Sequence, residues 1–317
     1  MNNANHHADA TFGVKRARLS QFWQPKYWPV YVGLGLLQLL LALPERLRRL
    51  TLLGLGRVAF YVARRERRVT LINLRLVYPT ATEAHRRVIA KAHFVSLVTS
   101  LFEVGLVWFK PAADLRARVQ VQGIEHLQNG LANGRGVLLL GAHFTTNEIA
   151  AAALGLLELP LDVMYRPTEH PLIQELALRG RSRWSGRLIP NNQFVELLRA
   201  LKANRIVLFA PDQRYTGDGA LVVPLFGVPA LSNPGTTLIH RATRCCVLMY
   251  SQKRLSNGHY QMCVHPPIAD YPGQDASADI ATYHRFIESA VNAAPEQYLW
   301  SYKRFKGLAS DSDPYRR

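Results

Sequence analysis

Residues 136–148 read "GVLLLGAHFTTNE". Val137–Leu140 form an apolar run with no polar alternation, bounded on each side by glycine. A run of that kind and length reads as a strand buried on both faces, the texture of a parallel sheet covered by helices. After it the chain turns polar, then resumes a helix-like pattern near residue 146. His143 and Glu148 stand at this change of texture, and their relation is the first question that the chain poses.

The same alternation recurs on both sides. "RVQVQG" precedes a helical stretch at 124–133, "LDVMYR" precedes "PLIQELALRG", and "GRLIP" precedes "NQFVELLRALKAN". "RIVLFAPD", "CCVLMYSQ" and "YQMCVHPP" follow, and a last helix is predicted over about 279–293. Short apolar strands separated by helices predict an α/β fold with a largely parallel sheet flanked by helices. Ligands of such sheets bind beyond the carboxyl ends of the strands. His143, Arg166 and Asp212 each lie just past such an end. Upstream, residues 46–110 are helical in pattern, with Thr82 placed to cap the long run "TEAHRRVIAKAHFVSLVTSLFEVGLVWF".

Five residues along a continuous helix turn through about 500°, which leaves two side chains about 140° apart. His143 and Glu148 can therefore meet only if the helix begins after the histidine. Met in that way, they would form a general base with a carboxylate fixing its tautomer. Thr145 and Glu148 also fit the S/T-x-x-E capping box, in which the glutamate serves only to start a helix. Spacing leaves both readings open. No G-x-S-x-G, H-E-x-x-H, Walker A or dinucleotide fingerprint occurs in the chain. A base with no nucleophile of the enzyme's own suggests that a substrate hydroxyl attacks.

The chain carries 39 Lys and Arg against 22 Asp and Glu, a formal charge of +17. This surplus favours anionic partners. Basic and aromatic residues do not interleave on a nucleic-acid-binding motif, so nucleic acid is not expected among them. Cys245, Cys246 and Cys263 have neither disulfide-framework nor zinc-site spacing, and no metal is expected.

Tyr27–Pro44 holds no charged residue, and Trp23, Tyr27 and Trp28 cluster at one end, as interfacial rings do. Eight arginines and two glutamates fill residues 45–68, against four basic residues and Asp9 in residues 1–26. The segment is expected to anchor the chain in a membrane, either spanning or lying in the interface, with the main domain on the cytoplasmic side.

"HFTTNE" resembles the H-x4-D/E signature of the glycerolipid and lipid A acyltransferases. From about residue 25 to 306 the chain is similar to the late acyltransferases of lipid A biosynthesis in Gram-negative bacteria. The blocks that carry the likeness are "RRVTLINLRLVYP" (67–79), "GAHFTTNE" (141–148), "MYRPTEHPLI" (164–173), "FAPDQ" (209–213), "VVPLFGVPA" (222–230) and "APEQYLWSYKRFK" (294–306). The resemblance implies transfer of a fatty acyl group from acyl carrier protein to the 3-hydroxyl of an acyl chain on a Kdo-bearing lipid A precursor. No cofactor is implied beyond the acyl-carrier-protein thioester.

It also implies His143 as general base with Glu148 as its orienting partner. Arg166, Asp212 and Asn147 are then expected at the substrate, and Lys303 and Arg304 of "SYKRFK" at phosphate or carrier protein. The organisation implied is a polar N-terminal tail (1–26), a membrane-anchoring segment (27–44), a helical membrane-proximal region (45–110), an acyltransferase α/β core (111–306) and a C-terminal tail (307–317). The implied location is the cytoplasmic face of the bacterial inner membrane, with acyl carrier protein, the anionic lipid A precursor and phospholipids as partners. "VVPLFGVPALSNPG" and the helix over 86–108 are the expected walls of an acyl groove. Two other readings remain at this point. One is the same chemistry on another glycolipid or an aryl-polyene lipid; the other is a non-catalytic, basic membrane-surface protein.

Overall fold

A computed structural model of the chain describes residues 16–307 and 313–316. Two 3-10 turns, Leu19–Phe22 and Pro25–Tyr27, lead into helices α1 (Trp28–Ala42), α2 (Glu45–Val62), α3 (Arg64–Val77) and α4 (Glu83–Phe109). The alternating region follows as α5 (Ala112–Arg116), β1 (Val119–Gln122), α6 (Ile124–Ala132), β2 (Val137–Leu140) and α7 (Asn147–Gly155). It continues through β3 (Leu161–Tyr165), α8 (Pro171–Arg181), β4 (Arg187–Pro190), α9 (Phe194–Lys202) and β5 (Ile206–Phe209). After the hairpin β6 (Leu221–Leu225) and β7 (Val228–Ser232) come α10 (Gly235–Thr243), β8 (Cys246–Arg254), β9 (Tyr260–Val264) and α11 (Ala276–Ala293).

Seven strands form one sheet in the order β1-β9-β8-β2-β5-β3-β4. Neighbours are parallel throughout except β8 and β9, which pair antiparallel. The expected α/β class with a largely parallel sheet is the one observed. Successive residues of β2 serve opposite faces, as pleating requires. Leu138 and Leu140 join the cluster with Phe94, Leu197, Ile287 and Trp300, while Val137 and Leu139 join Leu127, Ala150, Ala153 and Leu154. Apolar side chains are needed on both faces of β2, hence its unbroken apolar run. The β6–β7 hairpin turns at Phe226 and Gly227, both at positive φ (52° and 72°), and packs against α11.

Of the two forms expected for the N-terminal segment, the spanning one is not met. Helix α1 has 15 residues; at 1.5 Å per residue it is about 22 Å long, short of a bilayer core of about 30 Å. Among the described residues, the one helix long and apolar enough to cross a bilayer is α4, not an N-terminal one. Yet α4 buries Ala90, Phe94, Phe102, Leu106 and Val107, and packs against α1, α2, α3, α7 and α8. Helix α1 sets Leu37 and Leu41 against Gly105 of α4 and leaves Val32, Leu36 and Leu39 exposed. Helix α2 exposes Leu47, Leu50, Val58, Tyr61 and Val62 on one face. Residues 1–15 of the expected polar tail lie outside the described residues, as do 308–312 and 317 of the C-terminal tail.

Thr82 caps α4 as expected, its hydroxyl accepting from the His85 amide at 3.2 Å. In α3, the buried Asn73 donates to the carbonyls of Trp300 (2.6 Å) and Tyr302 (2.8 Å) and accepts from the Tyr315 hydroxyl. One amide side chain thus pins the C-terminal segment to the helical region. Asn73→Ala is expected to strand these buried groups and cost about 2–4 kcal/mol. Thermal unfolding monitored by circular dichroism should show Tm lowered by several degrees; an unchanged Tm would refute the pin.

Candidate active site

Strands β2 and β5 are adjacent and parallel, with Leu140 opposite Phe209. His143 and Asp212 each lie three residues beyond these partners, so the register itself sets them side by side. The Nδ1 of His143 is 2.5 Å from the Oδ1 of Asp212, and the His143 amide donates to Oδ2 at 3.0 Å. Asp212 is 1% exposed and also accepts from the Tyr298 hydroxyl at 3.3 Å. The short chain 297–299 runs against the motif: Leu299 N–H donates to the His143 carbonyl (3.0 Å) and Thr145 N–H to the Gln297 carbonyl (2.8 Å). "APEQYLW" therefore holds the histidine's backbone and its carboxylate partner together. Gly141 is required for close approach, because a Cβ there would lie 2.3 Å from the ring of Tyr250.

Burial disfavours charge on both members of the pair, and their mutual attraction outweighs it. Despite desolvation, the charge and hydrogen bond of Asp212 raise the His143 pKa above 6.5. Despite its burial, Asp212 is held below its ordinary range by His143, with Arg304 adding to the effect. Because Asp212 is ionised, it accepts a proton-bearing Nδ1, which places the lone pair of neutral His143 on Nε2. That nitrogen makes no hydrogen bond to a described residue, and the side chain is 33% exposed.

His143 does not pair with Glu148 as expected. Helix α7 starts at Asn147, which puts Glu148 in its first turn. There Glu148 accepts from Arg181 Nε at 2.9 Å, from the same guanidinium's Nη2, and from Trp108 Nε1 at 3.1 Å. The Thr145–Glu148 capping box is not formed either: the N-cap of α7 is Thr146, with no side-chain bond, and the Thr145 hydroxyl pairs with Ser96 Oγ at 2.7 Å. The partner that orients His143 is Asp212, which the sequence places 69 residues away. Its expected role at the substrate gives way to this one, because both of its oxygens are turned to His143.

A cavity of about 280 Å³ opens at the site. His143, Glu148, Arg166 and Arg181 line its polar part; Val107, Ala152, Val163, Trp184 and Leu208 line its apolar part. Arg166 is exposed there and has no hydrogen-bond or ion-pair partner among the described residues. Arg181, at the end of α8, is a site residue that sequence reasoning missed; the basic last turn "RGR" was its only signal. Asn147 reaches the cavity wall, but its Oδ1 accepts from the Phe144 amide (3.1 Å) and from Gln252 (2.6 Å), which makes it a brace for the motif. Of the two expected groove walls, α4 contributes Val107, whereas the hairpin packs on α11 and lines no part of this cavity.

Two expected residues are elsewhere. Arg304 is 2% exposed and donates to the Leu231 carbonyl (2.7 Å) and Ser232 Oγ (2.9 Å), so its charge serves the interior and meets no phosphate. Lys303 lies over the Tyr315 ring, 5.7 Å from its centroid, and does not line the cavity.

The family model for bacterial lipid A biosynthesis acyltransferases matches residues 16–307. The chain belongs to that family. It is 34% identical to the lipid A biosynthesis lauroyltransferase of Escherichia coli K12, over 89% of this chain and 92% of that protein. To the palmitoleoyltransferase of the same organism it is 32% identical over 90% and 94%, and to the myristoyltransferase 24% over 93% of each. This acyltransferase thus brings His143 and Glu148 to the mouth of a part-apolar cavity, with the two side chains engaged by different partners.

Proposed function

We propose that this lipid A acyltransferase moves a fatty acyl group from acyl carrier protein to the 3-hydroxyl of an acyl chain on a Kdo-bearing lipid A precursor, with His143 as general base. The observation that carries the reading is the Asp212–His143 pair at the mouth of the part-apolar cavity. Asp212 fixes the tautomer, and Nε2 takes the proton of the acceptor hydroxyl as its oxygen adds to the thioester carbonyl. The tetrahedral oxyanion collapses with cleavage of the C–S bond, and the imidazolium returns the proton to the departing thiolate.

The oxyanion needs cationic support. Two guanidiniums line the cavity: Arg166, without a partner among the described residues, and Arg181, tethered by Glu148. Glu148 on this reading is a positioning residue for Arg181. Glu148→Gln is expected to lower kcat about tenfold or more while leaving the pH dependence set by His143 in place. The apolar lining would take the fatty chain, and the +17 charge suits both an acidic carrier protein and a phosphorylated acceptor.

The exposed apolar faces of α1 and α2, with arginines beside them, suit helices lying in the interface of the inner membrane's cytoplasmic leaflet. Mass spectrometry of lipid A from a Gram-negative strain lacking its own secondary acyltransferase, with and without this chain, tests the acceptor. One added acyl chain is expected; an unaltered acyl pattern would overturn the assignment and favour another glycolipid.

A further inference from the structure

A second and larger cavity, about 790 Å³, shares no lining residue with the first, though Gln297 of the segment that braces His143 lies in its wall. It lies between the first turns of α2, the middle of α4 and the β8–β9 hairpin. Five arginines line it (Arg46, Arg48, Arg49, Arg118 and Arg254) against two glutamates, Glu45 and Glu296. Arg254 is already engaged by the buried Glu103 at 2.5 Å. Arg48 lies over the Phe102 ring, 4.7 Å from its centroid, and its charge is disfavoured by burial and then by Arg118. Arg118 is half-buried, and its guanidinium has no hydrogen-bond or ion-pair partner among the described residues. Arg118 weighs against the charge of Arg48 more than Glu45 favours it, and an anion seated beside the two guanidiniums would stabilise both.

The rim indicates the kind of anion. Leu50 lines the cavity and is also 66% exposed, on the same α2 face as Leu47, Val58 and Tyr61. Cationic interior and apolar outer face thus adjoin at one residue. We infer that this cavity binds the phosphate head group of an anionic glycerophospholipid, its acyl chains lying along the exposed face of α2, and so seats the enzyme on the membrane at a site separate from the acyl-transfer cavity. A soluble phosphate compound would use the arginines but not the leucine face; a zwitterionic lipid would use the face but leave the arginine charge uncompensated.

Isothermal titration calorimetry with dihexanoyl phosphatidylglycerol, dihexanoyl phosphatidylcholine (both below their micellar concentrations) and inorganic phosphate distinguishes these cases. Phosphatidylglycerol is expected to bind saturably and at least about tenfold more tightly than either comparison, the worth of a charge-assisted contact. Arg118→Gln, which removes no side-chain hydrogen bond or ion pair among the described residues, should weaken it by about the same factor. Arg57→Gln, an exposed α2 change outside the cavity, should leave it unaltered. Acyl transfer assayed on the same preparations reads the other cavity separately. Equal affinity for phosphatidylcholine, equal affinity for inorganic phosphate, or wild-type binding by Arg118→Gln would each overturn the inference.

Discussion

His143→Ala is expected to lower acyl transfer by about three orders of magnitude, with the fold intact. General-base catalysis contributes about 10²–10⁴-fold, and among the described residues no second histidine lines the cavity to replace it. The loss should fall on kcat and kcat/KM alike, because proton removal is needed only as the transition state forms. The side chain is 33% exposed, and among the described residues its hydrogen bond is to Asp212 alone. Removal therefore leaves one buried carboxylate short of a partner and no cavity in the apolar core. Steady-state assay with purified acyl-acyl carrier protein and lipid A precursor, beside a thermal melt, separates lost chemistry from lost fold. Transfer within about tenfold of wild type would exclude a general-base role.

Asp212→Asn is expected to cost nearly as much, about 10²–10⁴-fold. An amide can donate to Nδ1 where the carboxylate can only accept, so the neutral imidazole is free to take the wrong tautomer, with its proton on Nε2. Stability is affected as well, and the sign follows from the raised His143 pKa. The pair's stabilisation through His143 is fully present below the unfolded histidine pKa of about 6.5 and is lost as pH rises through the higher folded value. Wild type and Asp212→Asn should therefore differ more in Tm near pH 6 than near pH 9. A difference that grows with pH would contradict the pairing.

The sheet was legible in the chain because strands buried on both faces leave an apolar signature that needs no tertiary information. Placement of His143, Arg166 and Asp212 at carboxyl ends of strands followed from the same signature. The pairing within the site was not legible. His143 lies 69 residues from Asp212 and meets it only through the β2–β5 register, which depends on strand order and not on local spacing. The five-residue interval to Glu148 pointed to a local pair, but α7 begins at Asn147 and directs the carboxylate to Arg181, 33 residues on.

Arg304 shows the opposite error. A basic run reads as solvated, yet this one turns inward because the carbonyl of Leu231 and the hydroxyl of Ser232 await its donors. Whether the apolar stretch 27–44 is long enough to span was not legible, because its packing against α4 and its end at Ala42 are not visible in composition.

The central claim is that Asp212, and not Glu148, governs the proton affinity of the catalytic imidazole. Single-turnover transfer rates measured across pH for wild type, Asp212→Asn and Glu148→Gln test it most directly. In wild type the rate should rise with pH through an inflection above 6.5, as His143 loses its proton. Asp212→Asn should move that inflection downward, while Glu148→Gln lowers the plateau and leaves the inflection in place. An inflection displaced by Glu148→Gln and untouched by Asp212→Asn would contradict the claim.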